Sequence, residues 1–314
     1  MTRFAYTHGR CALLSIALSL ALCLTALSCS SAPKKAVETV ALKNEAADYA
    51  KLADDFFFKG QYLSALQFYG EALELNLSVD NVEGVIVARN ALGRTHLVLG
   101  RLDDAEREFT DALRDGRPFG KPALIAQSLS NLGELFYTRG RLEDAESYLM
   151  EAERLAPTND AVWAVVAHNR GVVAVARGDL KGASAYLLKA EQANDRAKRW
   201  SVLGTNRYVL ASVAYAQGSL EEALRWAERA LAADKTAENS LGIGADLEAL
   251  GRLTRRAGQP EKAFEYFRRS FGLWLALGKD RDAERVLREL RELAVELGEE
   301  DYAGRYARML EGAP

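Results

Sequence analysis

Few side chains in this sequence have a type and spacing that could carry out a reaction. Beyond the first thirty residues there are two histidines, His96 and His168. Either could bind zinc from a helix if a histidine, cysteine or carboxylate stood three or four residues on, and neither has one. Cys11, Cys23 and Cys29 all fall in the first thirty residues, so the remainder has no disulfide, no thiolate metal site and no cysteine nucleophile. Gly242-Ile-Gly244 is a two-glycine fragment that lacks the third glycine and the preceding strand of a phosphate-binding turn. Asp80-Asn81-Val82-Glu83-Gly84 has neither the ligand spacing nor the closing glutamate of a calcium loop, and it suits a helix N-terminus instead. No serine–histidine–acid set is recognisable. The expectation is a protein that is not an enzyme and that holds no cofactor and no metal.

Charge and composition narrow the class further. The 314 residues are 49% hydrophobic and 27% charged, which is a globular composition. The 41 basic residues are nearly balanced by 44 acidic ones, so the excess of positive charge expected of a nucleic-acid binder is missing. The N-terminus is the exception. Arg3 and Arg10 precede an apolar run from Cys11 to Leu27, and no further charge appears until Lys34. This is the layout of an export signal. Ala26-Leu27-Ser28-Cys29 resembles a bacterial lipobox, with Ala26 where a larger apolar residue is usual. The resemblance implies cleavage before Cys29, with diacylglycerol on its thiol and an acyl chain such as palmitate on its amine. Cys23 would place bulky Leu22 at the cleavage position. Two alternatives stay open: a soluble export signal cut after Ser28, and an uncleaved anchor. The anchor would need about 20 apolar residues, a length reached only by taking in several serines and threonines. The expected division is a signal over 1–28, a lipidated cysteine and tether over 29–44, and a folded body over 45–314. Losing 1–28 removes two arginines and no acid, so a net charge of −3 becomes −5. Membrane attachment would then rest on acyl chains rather than on basic residues.

The elements that must position any site come from a repeat. Gly60, Gly100, Gly140, Gly178, Gly218, Gly258 and Gly298 are spaced by 40 residues, with one step of 38. An alanine follows each by five residues, from Ala65 to Ala303, and Ala53, Gly93, Gly133, Gly171, Ala211 and Gly251 precede the first six by seven. Apolar residues flank each glycine at helical spacing, as in Leu92, His96 and Leu99, then Leu102, Ala105 and Phe109. The unit is a helical hairpin repeated seven times. Its glycine closes the first helix in a left-handed conformation, and its small residues sit where the two helices cross.

These residues resemble the tetratricopeptide repeat family. Leu132-Gly133, Phe136, Gly140, Ala145, Leu149, Ala152 and Pro157 match that family's positions most fully, and the resemblance covers residues 45 to about 312. The period departs from the family's usual 34, and the last unit carries Arg291 at a small-residue position. The resemblance implies an all-α fold, a right-handed solenoid of about seven hairpins whose first helices line a concave face. It also implies a non-catalytic scaffold or adaptor for a protein or peptide partner. Combined with the lipobox, it points to a lipoprotein of cell-envelope assembly, facing the periplasm from the outer membrane. A soluble periplasmic or inner-membrane place is the alternative for location. The alternative for function is an accessory lipoprotein of solute uptake that docks a substrate-binding protein. The oligomeric state is left open.

Carried onto the first helices, the family's inward offsets give Asn90, Arg94, Tyr137, His168, Tyr208 and Tyr215 as candidate groove anchors forming one track. The competing reading is that the tyrosines pad the packing between hairpins. Unit six presents Arg252, Arg255 and Arg256, either a contact patch or a solvated face balanced by Glu261 and Glu265. Phe56-Phe57-Phe58 cannot all face one side of a helix. Either residues 36–50 cover the third ring or it is an exposed contact.

Overall fold

The computed structural model describes residues 35–156 and 161–311. The expected export signal, with Cys29, and residues 157–160 lie outside them. The described residues form fourteen α-helices and no strand. They are α1 (Lys35–Phe58), α2 (Tyr62–Ser78), α3 (Val82–Val98), α4 (Leu102–Phe119), α5 (Pro122–Thr138), α6 (Leu142–Leu155) and α7 (Ala161–Ala176). There follow α8 (Leu180–Arg196), α9 (Trp200–Ala216), α10 (Leu220–Thr236), α11 (Ser240–Arg256), α12 (Pro260–Ala276), α13 (Asp280–Glu296) and α14 (Glu300–Glu311). None is long and apolar enough to cross a membrane.

Consecutive helices pair into seven hairpins, and each hairpin packs on the next. This is the all-α repeat solenoid that the resemblance implied, built of the hairpins expected from the glycine spacing. The seven spaced glycines all adopt φ between 71° and 84°, the left-handed region where a side chain is penalised. The crossing explains the small residues seven positions earlier. A Cβ on Gly93 would stand 2.4 Å from the Phe109 ring, and one on Gly133 or Gly171 would stand 2.6 Å from Leu149 or Leu187. The large partner sits nine residues after the turn glycine, on the second helix, and is fully buried in each case. Burying one such side chain contributes roughly 1.5–3 kcal/mol, so the size match at each crossing matters. Where the first helix has Ala211, the second has Ala227 at the matching offset.

Two expectations need correcting. Residues 35–44 are helical rather than tether, because α1 begins at Lys35. No glycine or proline interrupts the chain between Pro33 and Gly60, and Ala46 and Ala53, two turns apart, are both buried. Residues 36–50 therefore belong to the same rod as the phenylalanines and cannot fold back over them. Phe56 stacks on Phe68 at 5.3 Å, Phe57 meets the Tyr62 ring edge-on, and Phe58 is 68% exposed. The solenoid also curves back on itself. Lys279, in the turn between α12 and α13, sits 5.8 Å from the centre of the Tyr62 ring in the first hairpin.

Candidate functional site

First helices touch one another along the series α1, α3, α5, α7, α9 and α11, whereas second helices make no comparable contact with each other. The first helices therefore line the inside of the curve. One position on them, six residues before each turn glycine, runs down this face as Asp54, Arg94, Glu134, Val172, Ser212, Arg252 and Glu292. Its charges alternate at both ends and vanish in the middle.

Two clefts open on this face. The larger, about 670 Å³, lies across α9, α11 and α13. Tyr208, Ser212 and Tyr215 form one wall, Arg252, Arg255 and Arg256 the floor, and Glu289 and Glu292 the far wall. The smaller, about 150 Å³, lies between α5 and α7 and is lined by Glu134, Tyr137, Thr138, His168 and Val172. Tyr208 and Tyr215 are 37% and 41% exposed, while Tyr137 is half-buried against the core of the third hairpin. Glu134 projects into the bend, where lost hydration raises its carboxyl pKa and the Arg94 charge opposes the shift. Arg94 lies 5.7 Å from the centre of the Phe57 ring.

The expected anchors thus divide. Tyr208 and Tyr215 share one cleft, Tyr137 and His168 the other, and Arg94 stands beside Phe57. Asn90 is not in the groove. It is 1% exposed, and its amide donates to the Ile86 carbonyl at 3.0 Å and to Ser128 Oγ at 2.9 Å. Its Oδ1 accepts from Asn131 at 2.8 Å. The physical reason is position: ten residues before the turn glycine, a side chain points into the seam between neighbouring first helices. His168 stands at the same offset and is partly drawn into the seam, where the Asn206 amide meets its Nδ1 at 2.7 Å. Burial lowers its pKa to about 4, so the ring is neutral, with Nδ1 accepting and Nε2 carrying the proton. Asn206 in turn accepts from Asn194. His96 is half-buried beside Asp104, which fits a packing role.

Two of the three arginines of unit six are balanced, but not by Glu261 and Glu265. Arg255 is held by Glu289, Glu292 and Glu296 of the next hairpin, and Arg252 pairs with Glu248. Arg256 is exposed, and among the described residues it forms no ion pair.

Sequence reasoning missed the acid pair Asp234 and Asp246, which are 2% and 1% exposed at the seam between the fifth and sixth hairpins. Asp234 accepts from the Asn239 amide, and Asp246 Oδ2 has no donor. Burial, with Asp234 adding to it, pushes the Asp246 carboxyl up to about 9, and Asp234 is raised as well. One proton shared between the two carboxyls supplies the missing donor. The legible signal was the spacing: Asn194 and Asn206 stand at the same two positions one repeat earlier.

Comparison with known proteins bears on the fold. A 104-residue stretch, 33% of the chain, is 29% identical to the Type II methyltransferase M.CeqI of Rhodococcus hoagii, and spans about a fifth of that protein's length. Among solved structures, the Rap conjugation gene regulator of the plasmid pLS20, in complex with the Phr* peptide, has a TM-score of 0.64 at 19% identity. That match covers 90% of this chain and 78% of the regulator. A Rap protein complexed with Competence and Sporulation Factor has a TM-score of 0.62 at 17% identity, over 84% of this chain and 73% of that one. At such identities the likeness is one of fold. Residues 35–307 match the family described as the MalT-like TPR region, nearly the whole described solenoid, and the chain belongs to that family.

Proposed function

We propose that this protein is a lipid-anchored, non-catalytic docking protein of the bacterial envelope, which holds an extended segment of a protein partner on its concave face. The observation that carries the binding half is the pair of clefts bearing Tyr137 on α5 and Tyr208 and Tyr215 on α9, two first helices on either side of α7. Tyrosine combines a large contact area with a hydrogen-bonding tip, and such residues dominate interface energies. One of the similar Rap structures holds the Phr* peptide and the other the Competence and Sporulation Factor, which supports a fold of this build accepting a chain segment. The anchor half rests on the lipobox-like Ala26-Leu27-Ser28-Cys29. A cleft of about 670 Å³ is also of the size that holds small ligands, which favours the solute-uptake alternative as second reading.

One experiment addresses both halves. A photo-crosslinking residue is placed at Ser212 inside the larger cleft, or at exposed Ala185 on the second helix α8, in cells carrying wild-type or Cys29→Ala protein. The expected result is an adduct from position 212 and none from 185, found with membranes in the wild type and released by Cys29→Ala. The partner's identity separates an assembly factor from a solute-binding protein. Equal adducts from both positions would remove the groove. Membrane retention of Cys29→Ala would remove the lipid anchor.

A further inference from the structure

We propose that the groove takes a partner segment made of uncharged residues, apolar and aromatic, and rejects charged ones; this rests on the reading of the concave face as a binding surface. Helices α7 and α9 form the middle of that face, and each contains a single charged residue, Arg170 and Arg207. Both are turned away from it. Arg170 is paired with Glu146 and Glu153 and packs over the Tyr186 ring of α8. Arg207 is 7% exposed, held by Glu191 and Asp195 of α8. What remains towards the groove is His168, Val172, Tyr208, Ser212 and Tyr215, and the histidine is occupied as a neutral acceptor by Asn206.

Of the charges that border this window, Glu134 at the α5 edge feels the Arg94 charge, and Arg252 and Arg255 on the α11 side are paired within the protein. Arg255 already has three carboxylate partners, and Glu248 is shared by Arg252 and Arg285. A charged ligand side chain over Val172 and Ser212 would lose hydration and find no opposite charge on α7 or α9, which is costly. An apolar or aromatic side chain there gains contact with the tyrosines, while Ser212 and the tyrosine hydroxyls remain to meet the ligand backbone. Discrimination therefore comes from the absence of a partner for charge as much as from attraction. Exposed Arg256 marks the C-terminal edge of the window, where an acidic flank is tolerated.

The probe is a phage-displayed library of random peptides of about nine residues, long enough to cross the window when extended, selected on the full-length protein. Selected peptides should lack Asp, Glu, Lys and Arg at their central positions. Affinity for a synthetic copy should change less than about twofold between about 50 mM and about 500 mM salt, because no charge pair is formed. Ser212→Arg, at an exposed position, should weaken that peptide by about tenfold or more and select peptides with a central Asp or Glu, while Ala185→Arg should do neither. A fixed central charge in peptides selected on the wild type, or a tenfold loss over that salt range, overturns the inference and leaves the groove standing. Selection of no peptide, or equal effects of the two arginine variants, removes the groove reading itself and this inference with it.

Discussion

Asparagine at position 246 should leave the protein more heat-stable than the wild type at about pH 9 and nearly equal to it at about pH 4. Asp246 has a folded pKa of about 9 against an ordinary value of 3.8, so between those limits the folded chain holds a proton that the unfolded chain has released. Stability therefore declines as pH rises through that window, with all of it retained below about pH 4. Asn239 donates to Asp234 and Tyr208 lies within reach of the Asp246 charge, and neither is a cation that could neutralise the pair. An asparagine amide at position 246 can donate to the Asp234 carboxylate without needing a proton, and one repeat earlier both positions are asparagines joined by an amide hydrogen bond. Even a fraction of the shift amounts to about 2–4 kcal/mol at neutral pH and above. Melting curves of Asp246→Asn across pH, read beside the wild type, check this. A variant less stable than the wild type at every pH would show that the pair does not share a proton.

The second large effect concerns the hairpin crossing. Phe109→Ala should cost about 3–5 kcal/mol, because the ring is fully buried in the second hairpin. Gly93→Ala alone should also destabilise, since its Cβ would stand 2.4 Å from that ring. The double variant should be more stable than the sum of the two losses, because alanine on both helices is the arrangement of Ala211 and Ala227 in the fifth hairpin. The coupling is read by a double-mutant cycle in denaturant unfolding. Strictly additive losses would mean that the two residues do not meet.

The crossing was legible because it obeys a rule that recurs every 40 residues: glycine in a left-handed turn, and a small residue opposite a large one. Such a rule is local to one hairpin. The seams between hairpins were harder to read. Asn90 and Tyr208 share one offset from their glycines, yet the first is sealed between helices and the second reaches the cleft. The offset fixes a direction along the seam, and side-chain length then decides whether the tip emerges. Asn90 is short enough to be satisfied by Ser128 and Asn131, whereas a tyrosine overshoots the seam. The start of α1 was misplaced for another reason. Residues 35–44 carry no repeat signature, and only the lack of a breaker after Pro33 marked them as helix. The closure of Lys279 on Tyr62 joins residues in different hairpins and has no periodic signal at all.

The central claim is that the tyrosines of the concave face bind a partner rather than pad the solenoid. Titrating a library-selected peptide into wild type, Tyr137→Ala and Tyr215→Ala, with melting curves of the same samples, tests it most directly. An affinity loss of about 1–2 kcal/mol or more is expected for each variant, with the melting temperature nearly unmoved for exposed Tyr215 and only modestly lowered for half-buried Tyr137. A lowered melting temperature with unchanged affinity per folded molecule would contradict it and assign both rings to packing.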